Sequence, residues 1–77
     1  MYILRTHLLE NPDVAFYYKG TDREDGVPFA LNTIVAFEPA DAMMFNKLTA
    51  MELCNKLNHD KIELSDAGYS EYVIIAI

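Results

Sequence analysis

One stretch of this chain, and only one, repeats its apolar residues at a helical spacing. Within "TAMELCNKLN" (Thr49 to Asn58), counting about 100° per residue from Ala50, the side chains of Leu53, Cys54 and Leu57 fall within roughly 60° of it. Glu52, Asn55 and Lys56 point away. That pattern is an amphipathic helix with its cysteine on the buried stripe. "TAME" (Thr49 to Glu52) has the form of a capping box, with Leu48 and Leu53 placed to staple across it. Lys56 complements the negative end of the helix dipole, and Asn58 can take the left-handed conformation that closes a helix. The expected span is Thr49 to Leu57.

The other apolar runs have strand character. "MYILRTHL" alternates, with Tyr2, Leu4, Thr6 and Leu8 on one side and Ile3, Arg5 and His7 on the other. "ENPD" (Glu10 to Asp13) nucleates a turn. "VAFYYKG" then offers Val14, Phe16 and Tyr18 to one face and Ala15, Tyr17 and Lys19 to the other, so the two strands should form an antiparallel hairpin. "TDREDGVP" (Thr21 to Pro28) is polar and ends in Gly and Pro, which marks an exposed, mobile loop. Thr33 to Phe37 is a third strand stopped by Pro39. Ile62 and Leu64 suggest a brief strand before the turn-forming "SDAG". "EYVIIAI", apolar on both faces, reads as a strand interior to the sheet and covered on each side.

These elements define an α+β fold: a small antiparallel or mixed sheet of three to four strands with one amphipathic helix packed on one face. Seventy-seven residues, 52% hydrophobic and 23% charged, form one domain over 1–77. A chain this short buries only about 60% of its unfolded surface, so many gain stability by pairing. The single cysteine excludes an internal disulfide and suits a reducing interior. Arg5, His7 and Glu10 interrupt any leader-like apolar run, and no stretch approaches the roughly 20 residues of a membrane-spanning helix. The expected location is the cytoplasm, or a host's cytoplasm if the chain is viral. A formal charge of −6, with the six Lys and Arg scattered along the chain, disfavours direct nucleic-acid binding. It favours a protein partner with a basic surface.

The order strand, strand, an Ala-x-x-Phe segment, an Ala-bearing helix and a final apolar strand resembles small bacteriophage-type accessory proteins. Its carriers are Ala42, Phe45, Ala50, Leu53 and Leu57. The resemblance implies a βββαβ or ββαβ fold and a non-enzymatic role, often inhibition of a host enzyme or defence system by direct binding. It carries over no functional residue.

Chemistry-bearing patterns are sparse. Cys54, His7 and His59 have no paired metal-ligand spacing, and "DREDG" departs from the calcium-loop pattern, so neither metal nor cofactor is expected. Thr6 and His7 are strand neighbours aimed at opposite faces, and Gly20, Gly26 and Gly68 are isolated in turns, so no nucleophile or phosphate-cradle motif emerges. Met43, Met44 and Met51 serve either as core filling or as an adaptable contact patch. Tyr17 and Tyr18 are the sharper clue. Adjacent strand residues cannot both face one core, and a tyrosine on an outer face suits an interface centre. The expected contact surface combines Tyr17 and Tyr18 as anchors with Asp22, Glu24 and Asp25 as an acidic rim. The alternative is a self-assembling subunit, a homodimer through the sheet's face or edge. A small-molecule site would have to lie between subunits.

Overall fold

The computed structural model describes every residue, Met1 to Ile77. Four strands, β1 (Tyr2–His7), β2 (Ala15–Thr21), β3 (Thr33–Ala36) and β4 (Val73–Ala76), form one antiparallel sheet in the order β3-β2-β1-β4. Two helices, α1 (Lys47–Asn58) and α2 (Lys61–Asp66), and short 3-10 turns at Phe29–Leu31 and Pro39–Asp41 complete the fold. The α+β expectation holds, with the sheet antiparallel throughout. No helix is long and apolar enough to cross a membrane.

The core lies between α1, α2, the Phe29–Leu31 turn and one side of the sheet. Leu4, Tyr18 and Tyr72 supply it from the sheet side, Ala50, Cys54 and Leu57 from α1, Leu64 from α2, and Ala30 from the turn. The helical stripe read from the sequence is therefore the buried one. Lys56 Nζ lies 4.2 Å from the centre of the Phe29 ring, and Asp60 accepts a 3.1 Å bond from the Ala30 amide, so α1 and the helix junction hold the turn in place.

Five local expectations are corrected. α1 begins earlier than Thr49: Asn46 is the cap, its Oδ1 accepting from the Thr49 amide at 2.9 Å. Leu48 is then in the first turn and 66% exposed instead of stapling the helix. Asn58 does not close the helix in a left-handed conformation, since only glycines have positive φ. The run containing Ile62 and Leu64 is helical. It ends in a motif in which Tyr69 N–H donates to Leu64 C=O and Gly68 N–H to Ser65 C=O, with Gly68 at φ 91°. Finally, β4 is an edge strand, not an interior one.

β1 and β2 pair only where Arg5–His7 meets Ala15–Tyr17. Beyond that the strands fork, and residues 43–45 fill the fork. Met43 N–H donates to Tyr18 C=O at 3.0 Å, while Phe45 and Tyr2 exchange both backbone bonds at 2.9 and 2.8 Å. To reach the fork from β3 the chain must cross β2, and the Pro39–Asp41 turn packs on that strand. Ile3, Ala36 and Ala42 are buried yet lie outside the main core. Strand alternation points Ile3 and Ala36 away from the helices, which places the crossing on the sheet's outer side. The crossing thus covers part of the face that the sequence leaves open.

Candidate functional site

Strand register sets which side chains share the outer side. Ala36, Tyr17, Arg5 and Val73 stand side by side across all four strands, with Ile3 and Ile75 paired in the row beyond Arg5 and Val73. Ala36 and Ile3 are buried, Tyr17, Arg5 and Ile75 are half-buried, and Val73 is 48% exposed. Cover is uneven, since on the same side Ile3 of β1 is fully buried whereas Ile34 of β3 is 50% exposed; the open patch around Tyr17 consists of Arg5 and Val73. His7 and Lys19 share this side, and Arg5 donates a long bond of 3.4 Å to the Pro12 carbonyl.

The two tyrosines expected to anchor a contact are separated. Tyr18 is 5% exposed, a member of the core, and its hydroxyl shares a 2.7 Å bond with Thr21 Oγ1. As a surface anchor it is withdrawn, because the alternation that frees Tyr17 commits Tyr18 to the helices. The expected acidic rim also differs in place. The cations Arg5 and Lys19 flank Tyr17 on its own face, whereas Asp22, Glu24 and Asp25 are exposed in the loop after β2. That loop is anchored and not free: Asn32 accepts from the Glu24 amide and donates to its carbonyl, and its own carbonyl accepts from the Asp22 amide.

The groups with nucleophilic potential are engaged structurally. Thr6 Oγ1 donates to the Ser70 carbonyl at 2.7 Å, and Ser70 Oγ accepts from the His7 amide at 3.0 Å. Cys54 Sγ donates to the Tyr72 carbonyl at 3.3 Å. Burial pushes the Cys54 thiol above its ordinary pKa, a contact from Asn58 opposes this, and the charge of Glu71 adds to it. The Tyr72 phenol is also pushed up, again chiefly by burial, against a bond from Thr33. No group of three or more His, Cys, Asp or Glu side chains is arranged to hold a metal ion.

Two concavities exist. One, about 120 Å³, lies inside the fold between the sheet, the Phe29–Leu31 turn and α2, walled by Thr6, Phe16, Val35, Leu64 and Tyr72. Phe16 stands edge-on to both Phe37 and Tyr69 at 5.7 Å, so aromatic packing closes one flank. Its volume is below the roughly 300–1,000 Å³ typical of ligand clefts. The other, about 460 Å³, is an open groove beside α2 lined mainly by polar side chains, including Lys61, Asp66 and Glu71.

The free edge of β4 was missed by sequence reasoning, which placed this strand inside the sheet. Ile77 N–H donates to Met1 C=O, so by alternation the backbone groups of Ile75 and Val73 also face β1. Those of Ile74 and Ala76 face outward. Those of Tyr72, which also face outward, are both taken by the side chain of Asn58, at 2.7 and 2.9 Å. No family model, curated protein or solved structure matches this chain.

Proposed function

We propose that the protein is a non-enzymatic interaction module that binds, and by binding blocks, a protein with a basic surface, as small phage-encoded accessory proteins do. The observation that carries this reading is the half-covered outer side, where Tyr17 stands half-buried between buried Ala36 and half-buried Arg5. A half-buried tyrosine held by strands on both flanks gives contact area at little entropic cost on binding. The net charge of −6 speeds encounter with a basic surface more than it adds affinity. Asp22 lies five residues along β2 from Tyr17, about 17 Å at strand spacing, so the acidic loop and the tyrosine fit within one interface of ordinary size. The engagement of Thr6, Ser70 and Cys54 in structural bonds supports a binding role over a catalytic one.

The test is capture of a partner by the wild-type chain and by folded Tyr17→Asp. One protein retained by the first, released as salt rises and lost with the second, is the expected result. Undiminished retention by Tyr17→Asp, or no retained protein at low salt, contradicts the reading.

A second reading, a self-assembling subunit, is favoured by one specific observation: the outward backbone groups of Ile74 and Ala76 have no partner within the chain.

A further inference from the structure

We propose that a second copy of this chain completes the β4 edge, in a register set by Asn58, with the two α1 helices side by side above the junction. The inference deepens the self-assembly reading and rests on it.

The edge offers few registers. An antiparallel partner strand bonds to residues whose N–H and C=O groups face outward, and on this edge those are Tyr72, Ile74 and Ala76. Asn58 already holds both groups of Tyr72. Placing Ile74 opposite its own copy would call on Tyr72, and placing Ala76 opposite its own copy would leave Ile74 unbonded. Placing Ile74 opposite Ala76 uses every free group and none that is taken. The two-fold axis then passes between Ile75 and its copy. Val73 meets Ile77 across the junction on the outer side, where they are 48% and 55% exposed in the single chain. On the helix side Ile74 meets the small Ala76, and one continuous sheet results.

The same flank of α1 carries two exposed apolar side chains that nothing in the single chain covers. Counting about 100° per residue from Ala50, Asn58 lies near 80°, Met51 near 100° and Leu48 near 160°, while Lys56, which packs over Phe29, lies near −120°. Asn58 reaches the β4 edge; on its flank of the helix stands Met51, with Leu48 farther round toward solvent. They are 46% and 66% exposed. Phe45, just before α1, pairs with Tyr2 on the β2 side of β1, and Asn58 at the other end reaches Tyr72, so α1 runs broadly antiparallel to β4 while crossing from above β1 toward the edge. From Tyr72 to Ile75 is about 10 Å along β4, equal to about seven residues of helix, which brings Met51 level with Ile75 and so beside the two-fold axis. The copy's helix, at the usual 8–10 Å separation, then packs Met51 against its own copy.

Charge selects this meeting place. Two chains of −6 repel. No charged side chain occurs from Tyr72 to Ile77, and Lys47, on the α1 flank, falls opposite the uncharged Asn55 of the second copy. An uncharged, apolar, unprotected edge is otherwise what natural sheets avoid.

Three measurements test the proposal on the full chain. Sedimentation at micromolar concentration should give twice 8.8 kDa. Ala76→Pro removes an N–H that the single chain does not use, so this variant should stay folded by circular dichroism and sediment at half the wild-type mass. Met51→Cys, treated with a short bis-maleimide, should couple to a covalent dimer, whereas Lys61→Cys on α2 should not. A wild-type chain that is monomeric, a dimer that survives Ala76→Pro, or no coupling through Met51→Cys overturns the proposal. If Ala76→Pro unfolds, coupling through Met51→Cys decides. A monomeric chain refutes self-assembly itself, whereas a dimer indifferent to Ala76→Pro refutes only this edge; partner capture through Tyr17 is read separately from both.

Discussion

Asn58, at the end of α1, bonds both backbone groups of Tyr72: its Oδ1 accepts the N–H at 2.7 Å and its Nδ2 donates to the C=O at 2.9 Å. The need arises from a bulge. Between the paired positions Arg5–Val73 and Leu8–Tyr69, β1 has two residues, Thr6 and His7, and the opposite segment has three, Ser70, Glu71 and Tyr72. The side chain of Asn58 fixes the bulge and ties the helix to the strand. Asn58→Ala should lower unfolding free energy by about 2–4 kcal/mol, since two bonds vanish and a part-buried N–H is left unsatisfied. Urea unfolding monitored by circular dichroism measures it, and a loss below about 0.5 kcal/mol would show that the clasp is incidental.

The pair Ile62 and Leu64 discriminates helix from strand directly. In a strand the two would share a face, whereas in α2 they lie about 200° apart. Their exposures are 68% and 1%. Leu64→Ala should therefore cost about 2–5 kcal/mol and Ile62→Ala less than about 0.5. Equal costs would contradict α2.

Gly68 closes α2 at φ 91° with open space where a Cβ would stand, so only backbone strain opposes substitution. Gly68→Ala should destabilise by about 1–2 kcal/mol. The thermal midpoint gives the answer, and no change would place the chain's turn elsewhere.

Stability should fall on the alkaline side. Cys54 and Tyr72 are neutral when protonated, and both have folded pKa values raised above the ordinary 9.0 and 10.0. The unfolded chain therefore ionises first. The stability linked to these groups is whole below 9.0 and is lost as pH rises from the unfolded toward the folded value, by at most about 1.4 kcal/mol per pH unit per group. Urea midpoints should decline from about pH 9 in the wild type and from about pH 10 in Cys54→Ala. Coincident onsets would contradict the burial of the thiol.

Much of this fold is legible in the chain. The stripe Ala50, Cys54 and Leu57 is buried as its spacing dictates, and the alternation around "ENPD" yields the β1–β2 hairpin. Two caps competed at α1, and Asn46 prevailed over Thr49 because starting earlier adds helical residues at the cost of only an exposed Leu48. α2 escaped notice because a six-residue helix shows too little periodicity, although Gly68 was a stop signal. Alternation separates Tyr17 from Tyr18 but does not tell which side the helices take. The outer cover was illegible because the crossing between β3 and α1 has no regular pattern. The apolar faces of β4 read as a place inside the sheet, yet the strand lies at its edge, which no local pattern distinguishes.

The helices fill one side of the sheet, while the patch of Arg5, Tyr17 and Val73 on the other side is left partly uncovered. Side-chain NMR with a soluble paramagnetic probe tests this arrangement most directly. Tyr17 and Arg5 should broaden strongly as probe is added, while Ala50, Leu57 and Leu64 remain sharp. Protection of Tyr17 equal to that of Leu57, or broadening of Leu57 equal to that of Tyr17, would contradict the account.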